Sequence, residues 1–301
     1  MIICSPIEAD YCTKRNAMNH MLRTALLMTV MTVLVVVIGG SIAGQGGATL
    51  GVIIAIAMNL LSYWNSDTLV LAMTGARPFG AGDNPAIPQL VADLAQRAQI
   101  PTPKVYIVES AEPNAFATGR DPEHGVVAVT TGIMRTLNHD ELAGVIAHEL
   151  AHIKNRDTLV SAISASMAGV ITQFAYLVRW GSLLGGNRQS GGNGIISSLA
   201  LMIVAPLAAT LIQMGISRTR EFAADEGAAQ ITGKPLALAQ ALTKIDTQAH
   251  ATQATSIAAN PATASLFIIN PFSGGLASWF STHPPTADRV ARLHELAKKL
   301  P

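Results

Sequence analysis

The sequence predicts an α-helical membrane protein with four transmembrane helices and a small α+β domain. Three observations carry that expectation. Half of the 301 residues are hydrophobic (50%) and only 13% are charged, whereas soluble domains carry about a quarter charged residues. Charge is absent from the stretches Thr24–Ser66, Thr158–Val178 and 189–217. Between and after them, Val- and Ile-rich runs and helical periodicity read as a folded domain. The net charge of +1 gives no general attraction for nucleic acid, and no nucleic-acid partner is expected. The two cysteines, Cys4 and Cys12, offer neither a disulfide framework nor a four-cysteine metal site.

Residues 1–21 read as an N-terminal extension, polar over 1–17, with Met18 or Met21 equally able to serve as the start. As one helix, Thr24–Ser66 would measure about 64 Å, twice the roughly 30 Å hydrocarbon core of a bilayer. It must break, and "GGSIAGQGG" (39–47) is the place. Residues 22–65 then supply two transmembrane helices, near 22–42 and 46–65. The first is too long, and too closely followed by the second, to be a cleaved signal peptide.

Residues 66–157 read as a folded cytoplasmic part. A helix is expected over 86–100 and strands over 104–110 and 125–134. Between the strands lies "AEPNAFATGRDPEH", a short strand-like piece and a turn. Asn138 and Glu141 have the spacing of a capping box, so a helix should start there. Residues 158–216 supply two more transmembrane helices, 158–178 and 194–216, joined by a Gly-rich hairpin; Pro206 is tolerable in a membrane helix. Residues 217–301 form a second cytoplasmic part ending in a helix. Lys14, Arg15 and Arg23 flank the first span, and Lys154 and Arg156 outnumber Arg179 at the third. Arg218 and Arg220 outnumber Arg188 at the fourth. This bias puts both termini, 66–157 and everything after 217 on the cytoplasmic side.

The helix after Asn138 carries "HELAHIKNRD". His148 and His152 are four residues apart, on one helical face, and can share one metal ion. Glu149 is turned about 100° from His148 and sits beside that ion, where a general base belongs. A His and Gly extension of this motif fails, because Asn155 and Thr158 stand at those positions. A distant carboxylate is the other solution. In "SRTREFAADEGAA" (217–229), Glu221 can complete a His₂Glu site for one zinc ion, leaving the fourth position to water. Asp225, one turn on, can receive the free N–H of a metal-bound imidazole. Two alternatives stay open: Glu221 as a charge marking a helix leaving the membrane, and Asp157 as either a further partner or an ordinary helix-end carboxylate.

"HELAHIKNRD", "SRTREFAAD" and "THPPTADRVARL" occur in that order, with two apolar spans before the first and two between the first pair. With "PNAFATG" (113–119), they resemble the HtpX-type membrane zinc metallopeptidases over roughly 18–301. Residues 1–17 and 259–275 fall outside the match. The resemblance implies a zincin-like metallopeptidase domain, with zinc held by His148, His152 and Glu221, and Glu149 catalytic. It also implies a multi-pass protein of the bacterial inner membrane, facing the cytoplasm and degrading misfolded membrane proteins in the lipid bilayer. In "PNAFATG" an edge strand can pair with an extended substrate. Asn114 is then a candidate for binding a substrate carbonyl, or simply a turn residue after Pro113. His283 is a candidate donor to a transition-state oxyanion, or a helix-capping or core histidine. The remaining histidines read as solvated. The competing function is a catalytically silent, zinc-stabilised membrane scaffold or chaperone. A transporter would place ionisable groups inside the spans, which have none.

Overall fold

The computed structural model describes residues 6–163, 218–251, 268 and 284–299. The expected span 194–216 lies outside these residues, as does 158–178 beyond residue 163.

The chain is helical from Pro6 to Trp64 (α1), so residues 6–21 join the helix rather than standing apart. A straight helix of that length would reach about 88 Å. Yet the Asn59 amide donates to the Thr32 hydroxyl at 2.9 Å and to the Met28 carbonyl at 3.4 Å. The helix therefore doubles back within the expected 39–47 stretch, where Gly44 takes a left-handed φ of 59° that only glycine adopts at little cost. The two arms touch through glycines. A Cβ on Gly39 would lie 2.3 Å from the Gly47 carbonyl oxygen, so the backbones meet as small residues allow in membrane helix pairs. The hairpin turns Val33, Val37, Leu50, Ile53, Leu60 and Leu61 outward. Among the described residues, Gly44–Trp64 is the one helical stretch long and apolar enough to cross a membrane; Met28–Val37 is a shorter apolar segment.

Helix α2 (Ser66–Thr74) leads into a four-stranded mixed sheet. Its strands are β1 (Arg77–Pro78), β2 (Lys104–Val108), β3 (Ala115–Thr118) and β4 (Val126–Thr130), in the order β1-β2-β4-β3. β2 and β4 are parallel, with Lys104 opposite Val126 and Val108 opposite Thr130. β3 runs antiparallel to β4 on the outer edge. The expected strand 125–134 ends early, at Thr130. That residue's hydroxyl accepts from the Ile133 amide and caps a short helix, α4 (Thr131–Thr136). Helix α3 (Ala86–Ala98) occupies the expected 86–100 segment and ends at Gln99, which is left-handed.

Helix α5 (His139–Lys154) begins with the expected capping box: the Glu141 amide donates to Asn138 Oδ1 at 3.0 Å, and the Asn138 amide to Glu141 Oε2 at 2.9 Å. It packs between the sheet and two later helices, α6 (Arg218–Thr232) and α7 (Pro235–Ala251), and is buried nearly all round. A C-terminal helix, α8 (Thr286–Ala297), closes the bundle. Strand alternation sorts the sheet's two faces. Ala115, Ala117, Val127 and Val129 face the helical core, while Phe116 and Ala128 face Val70 of α2 and Ala162 of the helical stretch 157–163.

Candidate metal centre

Helix α5 sets His148 and His152 one turn apart, and α6 lies against it with Glu221 and Asp225 one turn apart. The close fit of these helices depends on Gly227, where a Cβ would come within 2.8 Å of the Ala151 Cβ. The outcome is a cluster of three donors. His148 Nε2 lies 3.2 Å from His152 Nε2, and each lies 3.6 Å from an oxygen of Glu221. One donor atom from each residue falls within 4.8 Å of the other two.

The far nitrogens of both imidazoles meet carboxylates. His148 Nδ1 is 3.0 Å from Asp225 Oδ1, and His152 Nδ1 is 3.1 Å from Asp157 Oδ2. A carboxylate only accepts, so each Nδ1 carries a hydrogen, which leaves each Nε2 as the atom that can offer a lone pair to an ion. Two lone pairs and a buried carboxylate converging on one point suit a cation, and the N, N, O donor set fits a divalent metal ion. Carboxylates behind metal-facing histidines set the tautomer and aim the ring. In the metal-free chain a proton takes that role. Burial alone would lower His148, but Asp225 and Glu221 outweigh it and push the imidazole up to about 9. Burial would likewise raise Asp225, yet the Arg289 guanidinium holds its carboxyl below the usual range.

Glu149 is buried, at 5% exposure, between α5 and the edge strand β3. Burial raises its pKa, only partly offset by the two histidines, and the Ala117 backbone N–H of β3 bonds to its carboxylate. A carboxylate raised in this way holds a proton more readily than a solvated one, which suits a group that takes a proton and returns it.

The structure thus brings together His148, Glu149, His152, Glu221 and Asp225. It adds Asp157, which the sequence left between two readings. Asn114 stands immediately before β3. Its Oδ1 accepts from the Ile268 amide at 3.0 Å, and its own amide donates to the Thr130 hydroxyl at 2.9 Å. His283 lies outside the described residues. Among the other histidines, His139 is solvated as expected, and His124 is half-exposed but paired with Asp121 at 2.6 Å.

Arg289, part of "THPPTADRVARL" but without an assigned role in the sequence, is fully buried and grips both oxygens of Asp225. A signal was available. Arg289, Leu293 and Leu296 are spaced four and three apart, the stripe by which a helix faces its core.

Residues 81–297 match peptidase family M48. A protease HtpX homolog of Sulfurihydrogenibium sp. is 50% identical over 94% of this chain and 98% of its own length. Homologs of the same description from Thermodesulfovibrio yellowstonii and Thermococcus kodakarensis are each 50% identical over 93% of the chain, covering 99% and 97% of their own lengths. The crystal structure of Ste24p from S. mikatae aligns at 16% identity with a TM-score of 0.49, over 93% of this chain and 66% of that one. The chain therefore belongs to peptidase family M48, and within it stands with the HtpX-type proteases.

Proposed function

We propose that the chain is a multi-pass zinc endopeptidase that cleaves membrane proteins, misfolded ones above all, at the cytoplasmic face of the bacterial inner membrane. The observation that carries the reading is the convergence of His148, His152 and Glu221, with Glu149 buried beside them under an edge strand. Zinc, when bound, supplies Lewis-acid chemistry that acidifies a water and polarises the scissile carbonyl.

The chain's own residues supply the rest. Glu149 takes the proton of the attacking water and hands it on to the leaving amine. Strand β3 offers its outer edge to an extended substrate, which adds as a further strand beside Glu149. Asn114 and His283 are assigned to the substrate carbonyl and the oxyanion.

The membrane assignment is supported by the glycine-seamed hairpin of α1, whose outward face is apolar. The uncharged stretches 158–178 and 194–216 complete four spans. Proteolysis consumes water, so the site belongs at the surface of the bilayer, which is where α5 and α6 stand relative to those spans in sequence. At the end of the hairpin that leads into the folded domain, Trp64 lies under the Arg120 guanidinium at 5.2 Å and ties the hairpin to the loop after β3.

The test pairs two measurements on purified protein, zinc content and cleavage of an unfolded protein such as casein. Glu149→Gln should retain zinc and lose about 10²–10⁴-fold in turnover. Near-normal turnover in that variant would remove Glu149 from the reaction.

A further inference from the structure

We infer that Arg289 is a positioning residue of the metal centre: it fixes the Asp225 carboxylate, which in turn aims His148. The inference rests on the metal-binding reading and deepens it. Arg289 is 1% exposed. A guanidinium so far from water persists only when its charge and its donors are both matched. Its Nε donates to Asp225 Oδ2 at 2.9 Å and its Nη2 to Asp225 Oδ1 at 2.7 Å. Two parallel bonds fix the plane of the carboxylate as well as its place.

The same Oδ1 meets His148 Nδ1 at 3.0 Å. The direction in which His148 points its Nε2 is therefore set two residues away, on α8. Nη2 also lies 3.4 Å from both ring nitrogens of His148, so the guanidinium limits the ring's freedom to turn. The third arm is spoken for as well: Nη1 donates to the Ile268 carbonyl at 3.0 Å, and the Ile268 amide donates to Asn114 Oδ1. Arg289 thus couples the C-terminal helix to the ligand His148 on one side and to the residue preceding β3 on the other.

Charge gives the arrangement its logic. Asp225 has to be a carboxylate to accept from His148, but a lone buried anion beside Glu221 would be repelled or protonated. Arg289 neutralises Asp225 through two short bonds, and its Nη1 stands farther off, 3.8 Å from Glu221 Oε2. Lysine keeps the charge but cannot grip both oxygens in one plane.

The experiment uses full-length protein in detergent, Zn²⁺ affinity by competition with a chromogenic chelator, and the visible spectrum of the Co²⁺-loaded form. Arg289→Lys should weaken Zn²⁺ binding about tenfold and shift the cobalt bands, since groups behind metal ligands are worth about 10–100-fold in affinity. In an Asp225→Asn background the same change should alter affinity by less than about twofold, because the carboxylate through which Arg289 acts is gone. Equal losses in both backgrounds would show a merely structural arginine and overturn the inference; so would no loss in the wild-type background. Should Arg289→Lys fail to fold, Arg289→Gln, which keeps one donor for Asp225, is judged by the same pair of backgrounds. If the unsubstituted protein binds no Zn²⁺, the metal-binding reading falls first, and this inference falls with it.

Discussion

His148 is drawn in two directions: a cation needs its Nε2 bare, while Asp225 and Glu221 invite a proton. In the metal-free chain those carboxylates hold its pKa at about 9, against the effect of burial. A metal ion bound at Nε2 would have to displace that proton, so its affinity should rise about tenfold per pH unit below about 9 and level off above it. The sign follows from the raised value: the metal-free folded chain binds the proton below about 9, and the metal-bound chain does not. Competition titrations with a chelator of known pH behaviour, run from pH 6 to 10, would measure the slope; a flat profile would mean that His148 is already neutral. Glu221→Ala should weaken zinc retention more than Asp225→Ala, since one offers an oxygen to the ion and the other only aims a ligand. The pairs His148/His152 and Glu221/Asp225 could be read from spacing, because four-residue steps on helices translate directly into a shared face, but spacing did not show that the two pairs meet. Asp157 and Arg289 could not be assigned so directly. Their roles depend on which element folds over which, and a charged residue near a helix end reads by default as solvated.

At the scale of elements, the donors come together because α6 packs against α5 with Gly227 facing Ala151. Glu221 and Asp225 reach the histidines only while Gly227 lets the helices approach, its absent Cβ leaving room for Ala151. Gly227→Val should therefore cost about 1–3 kcal/mol in stability, the usual price of overpacking, and should weaken zinc retention, because the third donor moves away with its helix. Thermal unfolding and chelator titration would be followed on the same sample. Loss of stability with zinc affinity unchanged would show that α6 can shift without taking Glu221 out of reach. Helix existence was legible here, from the capping box of α5 and the periodicity of α3. Boundaries were less so. The strand expected over 125–134 stops at Thr130, because a threonine hydroxyl competes well as a helix cap and β-branched residues look the same on either side of it. The glycine cluster at 39–47 located the reversal of α1, although the close contact between its arms had no sequence counterpart beyond the glycines themselves.

For the whole molecule, the question is which side of the membrane the centre faces. Lys and Arg cluster beside the spans at 14–23, 154–156 and 218–220, and such residues stay cytoplasmic during insertion. Reporter fusions after residue 100 and after residue 301 should both report cytoplasm, and one at residue 187 the far side. The same orientation constrains self-cleavage. A centre on the cytoplasmic side cannot reach the 180–193 hairpin across an intact bilayer, whereas the 251–275 stretch shares its compartment. That stretch carries no charge and contains Ala, Asn, Pro and Gly; accessible small-residue segments are cut first. Terminal sequencing of fragments from purified wild-type protein should place cuts there and find none in Glu149→Gln, which separates self-cleavage from a contaminating protease. Cuts within 180–193 in intact membranes, or a far-side signal from the residue-100 fusion, would invert the orientation. The geometry of His148, His152 and Glu221 would survive that result, but the cytoplasmic substrates would not, because the centre would then meet only what lies outside the cell membrane.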